Sequence, residues 1–283
     1  MTSWLEATAR ERIAGLLDPG SFTEFVPPEA RITSPHLAQL NQPAAFDDGV
    51  AVGRGTLEGA PMLIAAQEGA FMGGAVGEVH GAKITGLLER ALDERAPVLL
   101  LLESGGVRLH EANAGLIAVS EIMRAILALR GAGVPVIVLN GGRVGVFGGM
   151  GIATCLCDRL IMSEDARLGL SGPEVIETTM GVEEFDAADR ALVWRVTGGK
   201  NRAIFGEAVL VPDDIAAFRA AIRLDPVPLD VEAEHALLGA RLDRFGAAED
   251  ALDIWADLGI ETPARLPLLD TDDFLSAIEG KLA

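Results

Sequence analysis

Three glycine-rich segments carry the chemistry that this sequence can support. They are Phe71-Met72-Gly73-Gly74, Glu103-Ser104-Gly105-Gly106, and the run from Gly141 and Gly142 through Arg143, Val144, Gly145, Val146 and Phe147 to Gly148 and Gly149. Each stands between an apolar run and a segment of helical periodicity. Glycine there permits positive φ and close backbone approach, and the first amides of a helix have no partner within it. Fixed, unpaired N–H groups are what a developing oxyanion or a bound anion requires. Other glycine chemistries do not fit. A phosphate-cradling loop fails at Gly199-Lys200, where Trp194 and Asn201 occupy the outer motif positions. The dinucleotide fingerprint fails because Glu58, Val136 and Thr154 stand where its third glycine belongs. A G-x-S-x-G elbow and tyrosine are both absent from the chain.

The elements that must position these turns are legible from periodicity. Ser3 to Leu17 has apolar residues at helical spacing and Gly20 beyond as a stop. Residues 18–48 read as a Pro-rich loop. Strands are expected at Val50–Leu57 and Met62–Ala66, joined by Glu58-Gly59-Ala60-Pro61. Three strand–turn–helix units follow. The first runs from Ala65 through the turn to a helix over Gly77–Leu92. The second has a strand at Val98–Leu102 and a helix over Glu111–Arg130. The third has a strand at Pro135–Leu139 and a helix ending near Cys157. Short strands are expected at Arg159–Met162 and Arg167–Leu170. The apolar strand runs imply coverage on both faces. Helices are expected at Asp213–Arg223 and Val231–Phe245. The reading is an α/β chain in three parts: 1–48 an N-terminal helix and loop, 49–200 the core, 201–283 an acidic helical C-terminal region.

Hydrophobic residues make up 49% of 283, enough for a substantial core. The net charge of −19 argues against a nucleic-acid partner. Residues 201–283 hold 7 Lys+Arg against 17 Asp+Glu, which reads as a solvated acidic surface or a docking segment. Cys155 and Cys157, the two cysteines, read as buried core thiols; they give no disulfide framework and no zinc site. No run reaches the ~18 apolar residues of a membrane helix and no signal peptide is seen, so a cytoplasmic location without membrane contact is expected.

The motifs also carry a family likeness. Phe71-Met72-Gly73-Gly74 with Gly81-Ala82-Lys83, the run Glu103 to Glu111, and Val146-Phe147-Gly148-Gly149 followed by Gly172 to Glu177 resemble, in order, the carboxyltransferase branch of the crotonase superfamily. Within that branch the chain is similar to β subunits of biotin-independent malonate decarboxylases. That likeness extends to Ala9–Arg12, Leu17–Phe22, Glu111–Leu116 and Trp194–Arg202. The zinc-ribbon cysteines of bacterial acetyl-CoA carboxylase β subunits are missing. The resemblance implies a crotonase-like ββα superhelix with a helical C-terminal extension. It implies a lyase acting in a hetero-oligomer with a γ subunit, an α subunit and an acyl carrier protein. The phosphopantetheine thioester of that protein would be the substrate carrier, with no covalently bound cofactor and no metal. The carrier protein is expected to be acidic as well, so docking needs a local basic patch or the γ subunit.

Decarboxylation of a malonyl thioester places negative charge on the thioester oxygen. Amides of Gly105, Gly106 and Val107 and of Gly148 and Gly149 are the expected donors. Phe71, Met72, Gly73, Gly74, Val146 and Phe147 are expected to bind substrate in a dry pocket that loosens the carboxylate. Arg108 is expected either to bind an anionic group or to pair with Glu111. His80, His110, Glu78 and Glu111 are the candidate proton sources. Gly149→Val is expected to cut turnover without harming the fold. Two other readings are the acyl-binding half of a biotin-dependent acyl-CoA carboxylase, and a non-catalytic scaffold of the same fold.

Overall fold

The structure, a computed structural model, describes residues 2–281. Helix α1 (Ala9–Leu16) starts at a capping box in which the Thr8 and Glu11 side chains each bond the other's backbone N–H. Residues 4–6 form a turn rather than helix, so α1 is shorter than its periodicity predicts. Strand β1 (Thr23–Glu24) and helix α2 (Pro35–Gln39) interrupt the following loop. The antiparallel pair β2 (Val50–Leu57) and β3 (Ala60–Gln67) comes next, then α3 (Glu78–Glu94), β4 (Val98–Leu101), α4 (Asn113–Gly131), β5 (Val136–Asn140), α5 (Gly149–Cys155) and β6 (Arg159–Ser163). Helices α6 (Pro173–Met180), α7 (Arg190–Thr197) and α8 (Gly199–Ile204) lead to β7 (Val209–Val211) and α9 (Ile215–Ala221). The chain closes with α10 (Val231–Phe245), α11 (Ala251–Asp257) and α12 (Thr271–Ala277).

The seven strands form one sheet in sequence order, parallel from β3 onward. Leu63, Val98 and Val136 share one register row, and Ile64, Leu99 and Ile137 the next. Alternation sends these rows to opposite faces. Leu63, Val98, Leu100, Val136 and Val138 pack with Ile84 and Leu88 of α3 and Ile122 and Ile126 of α4. Ile64, Leu99, Leu101, Ile137 and Leu139 pack with Ile13 and Leu16 of α1 and Phe218 of α9. Coverage on both faces is why these strands read as unbroken apolar runs.

Beyond each parallel strand the chain makes a second, short ladder. Val76 bridges Val107, Ser104 bridges Val146, and Val146 bridges Leu168, all parallel. Strand, short bridge segment, helix is thus the repeating unit, and the molecule is the crotonase-like ββα superhelix. Residues 167–170, expected as a strand, supply single bridges only: Leu168 to Val146 and Arg167 to Gly198. A third apolar cluster joins Ala203, Ile204 and Leu210 to Trp255, Leu266, Phe274 and Ile278. Of the two cysteines expected in the core, Cys155 is exposed on α5, while Cys157 is half-buried and burial raises its thiol pKa.

Candidate active site

Successive steps along the short ladder stack the three glycine turns on one another. Gly105 N–H donates to Gly73 O at 2.8 Å, and Val76 N–H to Gly106 O at 2.9 Å, joining the first turn to the second. Ser104 N–H donates to Gly145 O and Phe147 N–H to Ser104 O, both at 2.8 Å, joining the second to the third. Contact is close enough to dictate residue type. A Cβ on Gly74 would fall 1.7 Å from Glu103 O. Gly148 has φ 64° and ψ −143°, a region reserved for glycine, and a Cβ there would stand 3.2 Å from Gly106 Cα.

The amides divide into two sets. Gly105 N–H is spent on Gly73 O, Gly148 N–H donates to Leu170 O at 2.9 Å, and Gly106 N–H faces Ser104 Oγ at 3.3 Å. Val107 and Gly149 N–H have no acceptor among the described residues. Both residues are half-buried, beside exposed Gly105. Of the five residues expected from sequence, Val107 and Gly149 thus keep their amides without a partner among the described residues, while those of Gly105, Gly106 and Gly148 are engaged.

The expected substrate contacts separate likewise. Phe71, Met72 and Gly73 are half-buried at the rim of the first turn, while Gly74 is buried against the second. Val146 and Phe147 lie inside, at 0% and 4% exposure. Val146 packs in the core, and Phe147 lies beneath Gly145 and Gly169. Arg108 also turns inward. Its Nη1 meets Asp48 Oδ2 at 2.7 Å and Glu111 Oε1 at 3.1 Å, its Nη2 donates to Asp48 O, and its Nε to Ala75 O. With its nitrogens engaged, it serves the turn and contacts no open surface.

Of the candidate proton sources, His80 is wholly buried. Its Nδ1 faces the carbonyl of Asp48 at 2.9 Å, so that nitrogen carries the hydrogen, and Nε2 accepts from Gln67 Nε2 at 3.0 Å. Burial first, and the Arg108 charge second, lower its pKa to about 3, so it stays neutral. Glu111 is buried too; its Oε2 accepts Glu78 N–H at 2.6 Å, capping α3. His110 and Glu78 remain at the surface, Glu78 paired with His36. Ser104 Oγ donates to Gly106 O and has no histidine partner among the described residues, so it is placed as a turn bond and not as an activated nucleophile.

Sequence reasoning passed over Asp48 and Gln67, and named Glu103 and Arg12 only as motif positions with no role; all four are buried and polar. The available signal was a carboxylate and an amide closing otherwise apolar strands. Exposed apolar residues adjoin the turns: Leu109 at 85% and Leu170 at 68%. A groove of about 540 Å³ lies between α3 and α4, lined by Ala82, Gly86, Ala114 and Ile117 rather than by the glycine turns. No helix among the described residues is long and apolar enough to cross a membrane.

The family described as carboxyl transferase domain matches residues 6–195. The chain is 42% identical to a malonyl-S-ACP:biotin-protein carboxyltransferase of Malonomonas rubra, over 97% of this chain and 95% of that protein. It is 36% identical to an acetyl-coenzyme A carboxylase carboxyl transferase subunit beta of Desulfitobacterium hafniense, over 65% of this chain and 62% of that one. Among solved structures it resembles a chain of a Pseudomonas malonate decarboxylase hetero-tetramer in complex with malonate. There the TM-score is 0.83 at 42% identity, covering 89% of this chain and 95% of the other.

Proposed function

The chain belongs to the carboxyl transferase domain family, and on that premise we propose that it is the β subunit of a malonate decarboxylase that works with a γ subunit. The reaction converts malonyl thioester on an acyl carrier protein to acetyl thioester. The bond between C2 and the carboxylate breaks, CO₂ leaves, and the electron pair spreads onto the thioester oxygen as an enolate. A proton taken from water then adds to C2, which completes the acetyl group and leaves hydroxide. The observation that carries this reading is the contact of the Gly106 and Gly148 turns, with the unpaired amides of Val107 and Gly149 beside it. We assign those two N–H groups to the enolate oxygen. Donors of this kind contribute about 10²–10³ each in turnover.

The hetero-tetramer of the Pseudomonas relative supports assembly with other subunits. Exposed Leu109 and Leu170 are apolar surface that a γ subunit would cover, closing a site that is otherwise open to water.

A second reading has a specific observation behind it. The Malonomonas relative's name makes a biotin protein the acceptor, at the same 42% identity. Enolate formation is common to both readings; they part at the fate of CO₂. The chain co-expressed with a γ subunit and supplied with malonyl-acyl carrier protein is expected to release CO₂ in the presence of avidin. Release abolished by avidin would establish the transferase instead. No release at all would leave the scaffold reading.

A further inference from the structure

Glu103 closes β4 and opens the second glycine turn. Its carboxylate is buried, with the side chain 7% exposed, and it touches every layer of the site. Oε2 pairs with Arg12 Nη1 of α1 at 2.6 Å across 91 residues of sequence. Oε1 accepts Val144 N–H of the third turn at 3.0 Å. Its backbone N–H donates to Gln67 Oε1 at the end of β3. The carboxylate also occupies the space that side chains would take in the flanking loops: a Cβ on Gly69 would fall 2.4 Å from its Cδ, and one on Gly142 2.2 Å. Arg12 is fixed in turn. Its Nε donates to Trp4 O, and its guanidinium lies over the Trp4 ring, which stacks on Phe218 of α9 at 4.0 Å.

Buried ion pairs are poor stabilisers, because desolvation offsets the attraction and apolar pairs of equal size do as well. What this pair supplies is a rigid spacer between three loops. We propose that Glu103 is a positioning residue of the enolate site. It sets the distance between the Val107 and Gly149 amides, and Arg12 holds it in place, which makes the N-terminal helix part of the catalytic apparatus. The inference rests on the reading of those amides as the oxyanion donors.

The double variant Glu103→Gln with Arg12→Met removes both charges at nearly constant volume, so it is expected to fold and assemble. Its kcat is expected to fall about 10²-fold, the usual result of sub-ångström to ångström misplacement, with KM within about threefold of wild type. Arg12→Lys, which keeps the charge, is expected to restore most of the turnover lost in Arg12→Met. A folded double variant with undiminished kcat overturns the proposal. Amide exchange at Val144 is read alongside and needs no substrate: it is expected to speed up at least tenfold in Arg12→Met, and an unchanged rate also overturns the proposal. A wild-type complex that releases no CO₂ would count against the decarboxylase, whereas an active wild type with an equally active double variant counts against the positioning role alone.

Discussion

Arg108 and Asp48, sixty residues apart in sequence, form an ion pair of 2.7 Å in which both side chains are wholly buried. The same guanidinium reaches Ala75 O and Glu111, so one side chain ties the 18–48 loop to the first turn and to the N-terminus of α3. Arg108→Met leaves two carboxylates buried without their cation and is expected to cost about 3–5 kcal/mol. Arg108→Lys cannot reproduce the forked geometry and is expected to destabilise as well. Urea denaturation of the two variants checks this, and an unchanged midpoint in Arg108→Met would refute it.

Gly148→Ala is the sharper probe of the enolate site. The alanine must hold φ 64°, ψ −143° and stand against Gly106 Cα, which presses the two turns apart. Turnover is expected to fall about 10²–10³-fold, while strain removes only about 1–3 kcal/mol of stability. Steady-state kinetics paired with a melting curve separates the two effects. Gly149→Val does not serve, contrary to the expectation from sequence. A Cβ at 149 would meet Val119 Cγ1 at 2.6 Å, so packing suffers along with the amide.

His80 makes stability depend on pH. Its ordinary value of 6.5 falls to about 3 in the folded chain. Between those values the unfolded chain binds a proton that the folded chain refuses. Stability that is complete above pH 6.5 is therefore lost as pH falls, by up to roughly tenfold in the folding equilibrium per pH unit. Urea midpoints at pH 7, 6 and 5 are expected to drop in wild type and to drop less steeply in His80→Gln. Parallel slopes would remove His80 as the cause.

Trp255 tests how the last helices are seated. It is 1% exposed in a cluster with Ile204 of α8 and Leu210 of β7. Trp255→Ala is expected to cost about 3–5 kcal/mol. A loss below about 1 kcal/mol in chemical denaturation would mean that this segment is not coupled to the sheet.

Much of the fold was legible because its signals are local. β2 spans the predicted Val50–Leu57, and α10 the predicted Val231–Phe245, each read from periodicity and bounded by turn or cap residues. The short helices α6, α7 and α8 were not resolved, since six to eight residues carry too few turns for a period to stand out. The glycine turns were legible, but the partition of their amides was not. Whether Gly105 N–H is free depends on Gly73 O, 32 positions earlier, and the ladder that joins them is one residue wide. Of the two readings of Arg108, the pair with Glu111 is present at 3.1 Å, but its stronger partner was out of sight for a related reason. An arginine in a glycine motif reads as an anion ligand until Asp48 arrives from a loop with no periodicity at all.

The N-terminal segment has one more consequence. Thr2, Ser3 and Leu5 bond Asp213 and Asp214, and α1 packs against α9, contacts that span more than 200 residues. During synthesis the first helix can dock early on the face formed by β2, β3 and β4, but its contact with α9 waits until after all three glycine turns have emerged. The sheet, built in sequence order, can assemble strand by strand as it appears, but the Trp4 ring beneath Arg12 gains its Phe218 partner only when more than three-quarters of the 283 residues are made. Until that stack forms, the wall of side chains behind Arg12 and Glu103 is incomplete.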